Sequence, residues 1–210
     1  MRNIPVIHED EWLCIIDKPS GLLTIPDPGR QSLCVTDILN NALKEKQVSW
    51  RLHPCHRLDR ETSGLLIYAK GKSVEQKMIS AFRDRLVGKQ YIAFVHGKLS
   101  PSQGAISSAI EGKSALTKYR VIQEKSNYSV VEISPVTGRT NQIRIHFKHI
   151  QHPLVGEDKF AYRKDFVLRA KRVCLHAQHL EFKHPQTAKM IVVKSSLPED
   201  MQKFLDDHQS

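Results

Sequence analysis

No apolar run in this sequence approaches the roughly 20 residues that a membrane-spanning helix needs, so a membrane span is not expected. The four cysteines (Cys14, Cys34, Cys55, Cys174) are scattered and form no C-x-x-C pair. That spacing argues against a cysteine zinc site and for reduced thiols in a cytosolic protein. There is no low-complexity tract and no internal repeat. The first residues, MRNIPVIHEDEW, read neither as a secretory signal nor as an Arg/Ser-rich transit peptide, so a cytoplasmic location is expected. Acidic residues are in short supply: 22 Asp and Glu face 32 Lys and Arg, a net charge of +10. An excess of that sign favours an anionic partner, nucleic acid ahead of a membrane surface. With 210 residues, 40% of them apolar, the chain is long enough for one domain, or one domain with two lobes.

Common phosphate motifs are missing as well. Lys72-Ser73 follows Gly71, but a P-loop needs a further glycine where Leu66 stands; Gly112-Lys113-Ser114 fails likewise, at Ser107. There is no Gly-rich loop or D-F-G to make the H-R-L-D at His56–Asp59 a kinase catalytic loop. His146, His149 and His152 recur every three residues, so neighbouring pairs share a helix face, but no H-E-x-x-H accompanies them. A histidine metal site ranks below packing, capping or contact with RNA, and no metal is expected.

The chain reads as alternating breakers and short periodic runs. Strands are expected at Trp12–Asp17, Leu65–Ala69, Lys89–His96, Ala105–Ile110, Ala115–Gln123, Tyr128–Ser134, Cys174–Phe182 and Met190–Val193. Helices are expected over Thr36–Lys46 (capped by Thr36 or Ser32), from Ser73 with Val74, Met78, Ile79 and Phe82 inward, and over Asn141–Ile150 with Ile143, Phe147 and Ile150 on one side. A short helix is expected to start at Pro198. Several consecutive strands without helices between them imply a mostly antiparallel, mixed sheet with flanking helices, and hence a single α+β domain over residues 1–210.

The chain is organised around His53–Lys70, HPCHRLDRETSGLLIYAK. Asp59 lies between Arg57 and Arg60, in a loop that leads through Thr62-Ser63-Gly64 into a buried strand. A rigid strand behind a charged loop suits chemistry, although most charge clusters of this kind are merely solvated. One Asp without partner carboxylate, metal or cofactor motif leaves two readings, a nucleophile or a salt bridge. To stay ionised in a pocket it needs a fixed cation nearby, and arginine keeps its charge. Arg57, Arg60, Arg139 and Arg144 are the candidates, and spacing does not choose among them.

The motifs resemble the RluA family of pseudouridine synthases, in the family's order and over nearly the whole chain. They are D-K-P-S-G-L-L at Asp17–Leu23, H-R-L-D-R-E-T-S-G at His56–Gly64, K-Q-Y-I-A at Lys89–Ala93, T-G-R-T-N-Q-I-R-I-H at Thr137–His146 with H-P-L-V-G-E-D at His152–Asp158, and L-H-A at Leu175–Ala177. The resemblance implies the pseudouridine synthase catalytic fold with a central active-site cleft, and isomerisation of uridine in RNA without cofactor or metal. It implies that Asp59 is the catalytic aspartate, that Tyr91 contacts the uracil, and that Arg144 pairs with Asp59. Arg57 would help extrude the uridine and Ile143 would pack against the base. Asn141 stands where many relatives carry histidine, which should tune the loop and leave activity in place. No separate N-terminal RNA-binding domain is expected, because the first motif begins at Asp17.

RNA grip is therefore assigned to the catalytic domain. Its densest basic segment carries Lys159, Arg163, Lys164, Arg169, Lys171 and Arg172 among Phe160, Tyr162 and Phe166. Arg163 and Lys164 are the expected phosphate contacts, and a transfer or ribosomal RNA loop is the expected partner, since a buried Asp reaches only an unstacked base. The alternative is an RNA-binding chaperone or assembly module on the same fold, without turnover. A monomer is expected. Trp12, Trp50 and Cys55 are read as packing residues, and His56 is left without a role.

Overall fold

A fully buried strand, β4 (Ser63–Ala69), carries the first half of the chain. It forms because the run SGLLIYA is apolar enough to be covered on both faces. The computed structural model describes residues 4–27, 33–161 and 168–209. It divides the chain into two units, one of residues 1–88 with 179–195 and one of residues 89–178 with 196–210.

In the first unit β1 (Val6–Glu9), β2 (Leu13–Lys18) and β4 lie side by side, with β3 (His53–Pro54) also on β4. All these pairs are antiparallel, with Ile15 opposite Ile67 and Leu13 opposite Ala69. The last residues of β9 (Leu175–Lys183) pair antiparallel with β10 (Met190–Lys194). One face of this unit packs Leu13, Ile15, Leu65, Ile67 and Phe182 with Val74 and Met78 of α2 (Lys72–Arg83). Helix α1 (Val35–Glu45) ties to β4 through the Thr36 hydroxyl, 3.1 Å from the Tyr68 hydroxyl.

In the second unit β5 (Gly88–His96), β8 (Tyr128–Pro135), β7 (Leu116–Glu124) and β6 (Gln103–Ser107) follow one another, again antiparallel. Ala93, Val95, Val131 and Ile133 on one face meet Ile143 and Phe147 of α3 (Gln142–His149). On the other, Ile92, Phe94, Tyr128 and Val130 meet Met201 and Phe204 of α4 (Glu199–Asp207).

The antiparallel α+β expectation and its element order are met, and the differences are local. Strands β1 and β3 escaped the sequence, being four and two residues long. Thr36 does not cap α1: it lies inside the first turn, and the Cys34 sulfur accepts the Asp37 amide instead. Ser32 lies outside the described residues. Ile79 is 44% exposed, so the inward face of α2 is narrower than its apolar pattern, and only Val74 and Met78 are fully covered. Trp12 packs against the first core and edge-on to His184, as a packing residue should. The four cysteines are free and buried, and burial raises the Cys55 thiol to about 12, which fits packing and not nucleophilic attack. No helix among the described residues is long and apolar enough to cross a membrane.

Met78→Ala should destabilise the protein by about 2–5 kcal/mol, whereas Ile79→Ala should stay within about 0.5 kcal/mol of wild type. Urea unfolding of the two variants tests this division of α2; comparable losses would put Ile79 in the core.

Candidate active site

Asp59 sits in a loop whose backbone is tied at many points. Upstream, the Cys55 amide donates to Ile67 O at 2.9 Å, and the Ile67 amide donates to His56 Nε2 at 3.1 Å. The His56 ring also lies against Phe82, 4.5 Å between centroids. His56, left without a role by the sequence, thus anchors the loop to β4 and α2.

From Leu58 onward the loop is held by the Lys18–Thr24 segment. The Thr24 hydroxyl donates to Leu58 O at 3.0 Å and accepts the Leu58 amide at 3.2 Å. The Asp59 carbonyl accepts the Thr62 amide. The Arg60 carbonyl accepts the Gly21 amide at 2.8 Å and Lys18 Nζ at 3.3 Å, and the Glu61 carbonyl accepts the Ser20 hydroxyl at 2.7 Å. Four consecutive carbonyls around Asp59 are thereby satisfied, which removes the freedom a polar loop usually keeps. Lys18 is fully buried, and its ammonium also donates to Leu22 O at 2.7 Å and Pro19 O at 3.1 Å. Gly21 closes the turn at φ +87°, a conformation that a residue with Cβ adopts at a cost. Asp59 itself is half-buried, and Arg57 and Arg60 are exposed.

The second unit holds the other sequence candidates. Arg144 is 2% exposed and Glu157 3%. Arg144 Nε donates to Glu157 Oε2 at 2.7 Å and Nη2 to Oε1 at 2.8 Å, a two-pronged pair. Arg144 Nη1 donates to Asn141 Oδ1 at 3.1 Å, and the guanidinium carbon lies 5.1 Å from the Phe160 ring centroid. Glu157 Oε1 accepts the amides of Lys159 and Phe160 in addition. Burial works to raise the Glu157 carboxyl, but the hydrogen bonds and charge of Arg144 and the two amides hold it below its ordinary value. The backbone before it is equally tight: a Cβ on Gly156 would stand 1.9 Å from Arg172 O, so only glycine fits.

Asn141 takes the left-handed conformation at φ +53°, which asparagine tolerates better than most residues, and starts α3. Its neighbour Gln142 is buried and binds Thr137, the Arg139 amide, Leu116 O and Thr117, fixing the T-G-R-T loop on β7. Tyr91 stands on β5 opposite Ile133, half-buried, and packs against the cluster that contains Ile143. Ile143 is 6% exposed and belongs to that core, so only its edge is open to a ligand. Lys89 shares the Tyr91 face of β5 by the two-residue period of a strand, and burial lowers its ammonium pKa.

Asp59 and Arg57 therefore belong to the first unit, and Tyr91, Ile143 and Arg144 to the second. Arg163 and Lys164 lie outside the described residues. Of the four candidate cations only Arg144 is buried; Arg60 donates to Gly21 O and Arg139 to Ser114 O. The spaced histidines find separate partners: His146 Nε2 lies 3.1 Å from Ser108 O, and His152 Nδ1 2.7 Å from His96 O. No group of three or more His, Cys, Asp or Glu among the described residues could hold a metal ion. Sequence reasoning missed Glu157, Thr24 and the burial of Lys18, all of which act across gaps in the chain. The glycine and acid of H-P-L-V-G-E-D were a visible signal for Glu157.

Comparison with solved structures defines the class by fold. The structure is similar to human RNA pseudouridylate synthase domain containing 4, with a TM-score of 0.82 at 24% identity over 98% of this chain and 93% of that one. Residues 13–149 match the family described as RNA pseudouridylate synthase. Among curated relatives, an uncharacterised RNA pseudouridine synthase, YlyB of Bacillus subtilis, is 30% identical over 98% of this chain and 73% of its own length. The dual-specificity RNA pseudouridine synthase RluA of Haemophilus influenzae is 34% identical over 88% of this chain and 89% of its own. The chain belongs to the RNA pseudouridine synthase family, and its activity is that of an isomerase.

Replacing Glu157 with Gln removes the carboxylate charge that the buried Arg144 pairs with and should cost about 3–5 kcal/mol at neutral pH. Because the folded pKa of Glu157 is depressed, its contribution is complete above the ordinary glutamate value of 4.5 and is lost as pH falls through the folded value. Denaturant unfolding of wild type and Glu157→Gln between pH 7 and pH 3 should show the gap closing on the acid side; a gap independent of pH would mean that the pair is not the source.

Proposed function

We propose that this chain isomerises a specific uridine in a transfer or ribosomal RNA loop, with Asp59 as the catalytic aspartate acting on an extruded base. The observation that carries the reading is the loop of Leu58 to Glu61, with every carbonyl tied down and Asp59 itself half-buried. Such anchoring suits a group that must meet a reacting atom in one geometry. In the isomerisation the bond from N1 to C1′ breaks, C5 takes its place on C1′, C5 loses its proton and N1 gains one, so the product has the composition of the substrate.

The roles follow the family resemblance. Arg144 offsets the charge of Asp59, Tyr91 meets the uracil and helps remove the C5 proton, and Arg57 supports extrusion or fills the gap left by the base. The edge of Ile143 packs against the ring. No step calls for a metal or cofactor. Relatives support the RNA class: one is named a dual-specificity RNA pseudouridine synthase, and another, from Nitrosomonas europaea and 34% identical, a ribosomal large subunit pseudouridine synthase. The assignment of phosphate contacts to Arg163 and Lys164 rests on sequence charge. We assign the protein to the cytoplasm and expect it to act as a monomer.

Small and ribosomal RNA from a strain lacking the gene should gain pseudouridine on incubation with the purified protein in EDTA, read as carbodiimide-dependent primer-extension stops. Asp59→Ala should give none. Stops with both proteins would mean that Asp59 is not the catalytic residue. Salt-sensitive RNA binding by both without any stop would favour the chaperone reading. RNA affinity should fall with salt at a log–log slope of roughly −0.7 per phosphate contacted on single strands.

A further inference from the structure

We propose that Thr24 is a positioning residue for Asp59: its one hydroxyl fixes both backbone polar groups of Leu58, and so sets the direction in which the next residue leaves the chain. The inference rests on the reading of Asp59 as the catalytic aspartate. Thr24 is 2% exposed and Leu58 5%. The hydroxyl gives its proton to Leu58 O at 3.0 Å and takes the Leu58 amide on a lone pair at 3.2 Å. No other side chain among the described residues holds both polar groups of a residue adjoining Asp59, and both would be left unpaired in a buried place without it.

The holder is itself fixed from two elements. The Thr24 carbonyl accepts the Thr36 amide at 3.2 Å and the Thr36 hydroxyl at 2.7 Å, at the first turn of α1. With its proton committed there, the Thr36 hydroxyl can only accept from Tyr68, 3.1 Å away. Tyr68 is fully buried in β4, and burial keeps its phenol protonated and able to donate. A chain of contacts thus runs from the Tyr68 and Thr36 hydroxyls to the Thr24 backbone, and from the Thr24 hydroxyl to Leu58. The acceptor-only carbonyls of Thr24 and Leu58 fix the direction of the two threonine donors, so each hydroxyl has one arrangement, as a rigid support for a reacting group requires. The carboxylate side chain is untouched by this chain, so Thr24 acts on orientation and not on chemistry.

Serine and alanine at position 24 both lose the methyl group and differ by the hydroxyl alone. Single-turnover pseudouridine formation, RNA affinity and melting temperature should be measured for Thr24→Ser, Thr24→Ala and the shape-preserving Thr24→Val. Thr24→Ser should keep a rate near wild type. Thr24→Ala and Thr24→Val should be slower by about 10- to 100-fold, with RNA affinity within about twofold of wild type at a temperature where each is folded. Equal rates for serine and alanine, or a rate loss matched by an equal loss of RNA affinity, would overturn the inference. A wild-type protein without turnover would overturn the Asp59 reading and the inference together, whereas wild-type turnover with unimpaired alanine and valine variants overturns the inference alone.

Discussion

An ion can be taken out of water only if the protein supplies what water supplied, and each unit is built around one instance of that constraint. Burying a charge costs several kcal/mol after relaxation, so the compensation must be complete. Among the partners of Lys18 are three backbone carbonyls, one of them from the Asp59 loop. Arg144 meets the constraint with a carboxylate whose own lone pairs are filled by two further amides. Neither arrangement is valuable chiefly as stability, since an apolar replacement of equal shape does as well in many proteins. What they provide is place: a buried ion with a full set of partners has one position.

That logic explains how a polar loop becomes part of a rigid site. Loops ordinarily satisfy their backbone with water and move accordingly. Here the carbonyls of Leu58, Asp59, Arg60 and Glu61 are satisfied by protein donors, and the loop is continuous with β4, whose seven residues are all buried. The cost of ordering the segment is met in folding, so it need not be met again when RNA binds. In the second unit the T-G-R-T turn is fixed in the same way through Gln142, which delivers α3 and Arg144 in a set orientation.

The local pattern carried most of the architecture. Runs such as YIAFVH and YSVVEIS are apolar, β-branched and bounded by breakers, and they are the strands β5 and β8. Where the pattern misled, the reason was tertiary. Ile79 has the right helical phase to be inward, but only Val74 and Met78 of its helix are fully covered. Cys34 caps a helix, although sulfur is a weak acceptor, because Asp37 and the bridge between Leu23 and Cys34 hold it there. Strand β1 is mostly exposed and short, so it had no periodic signal to read.

The sequence by itself determined the order of the longer strands and helices, the basic character, the candidate stretch around Asp59 and the family. These depend on residue type and short spacing, which a linear text records in full. Tertiary structure alone decided which of four arginines is buried, that Glu157 is its partner thirteen positions away, and that Lys18 and Thr24 hold a loop 34 to 42 positions downstream. Such pairings carry no local period, because they arise when strands and turns distant in the chain are brought within hydrogen-bond reach and each buried polar group has to find a partner.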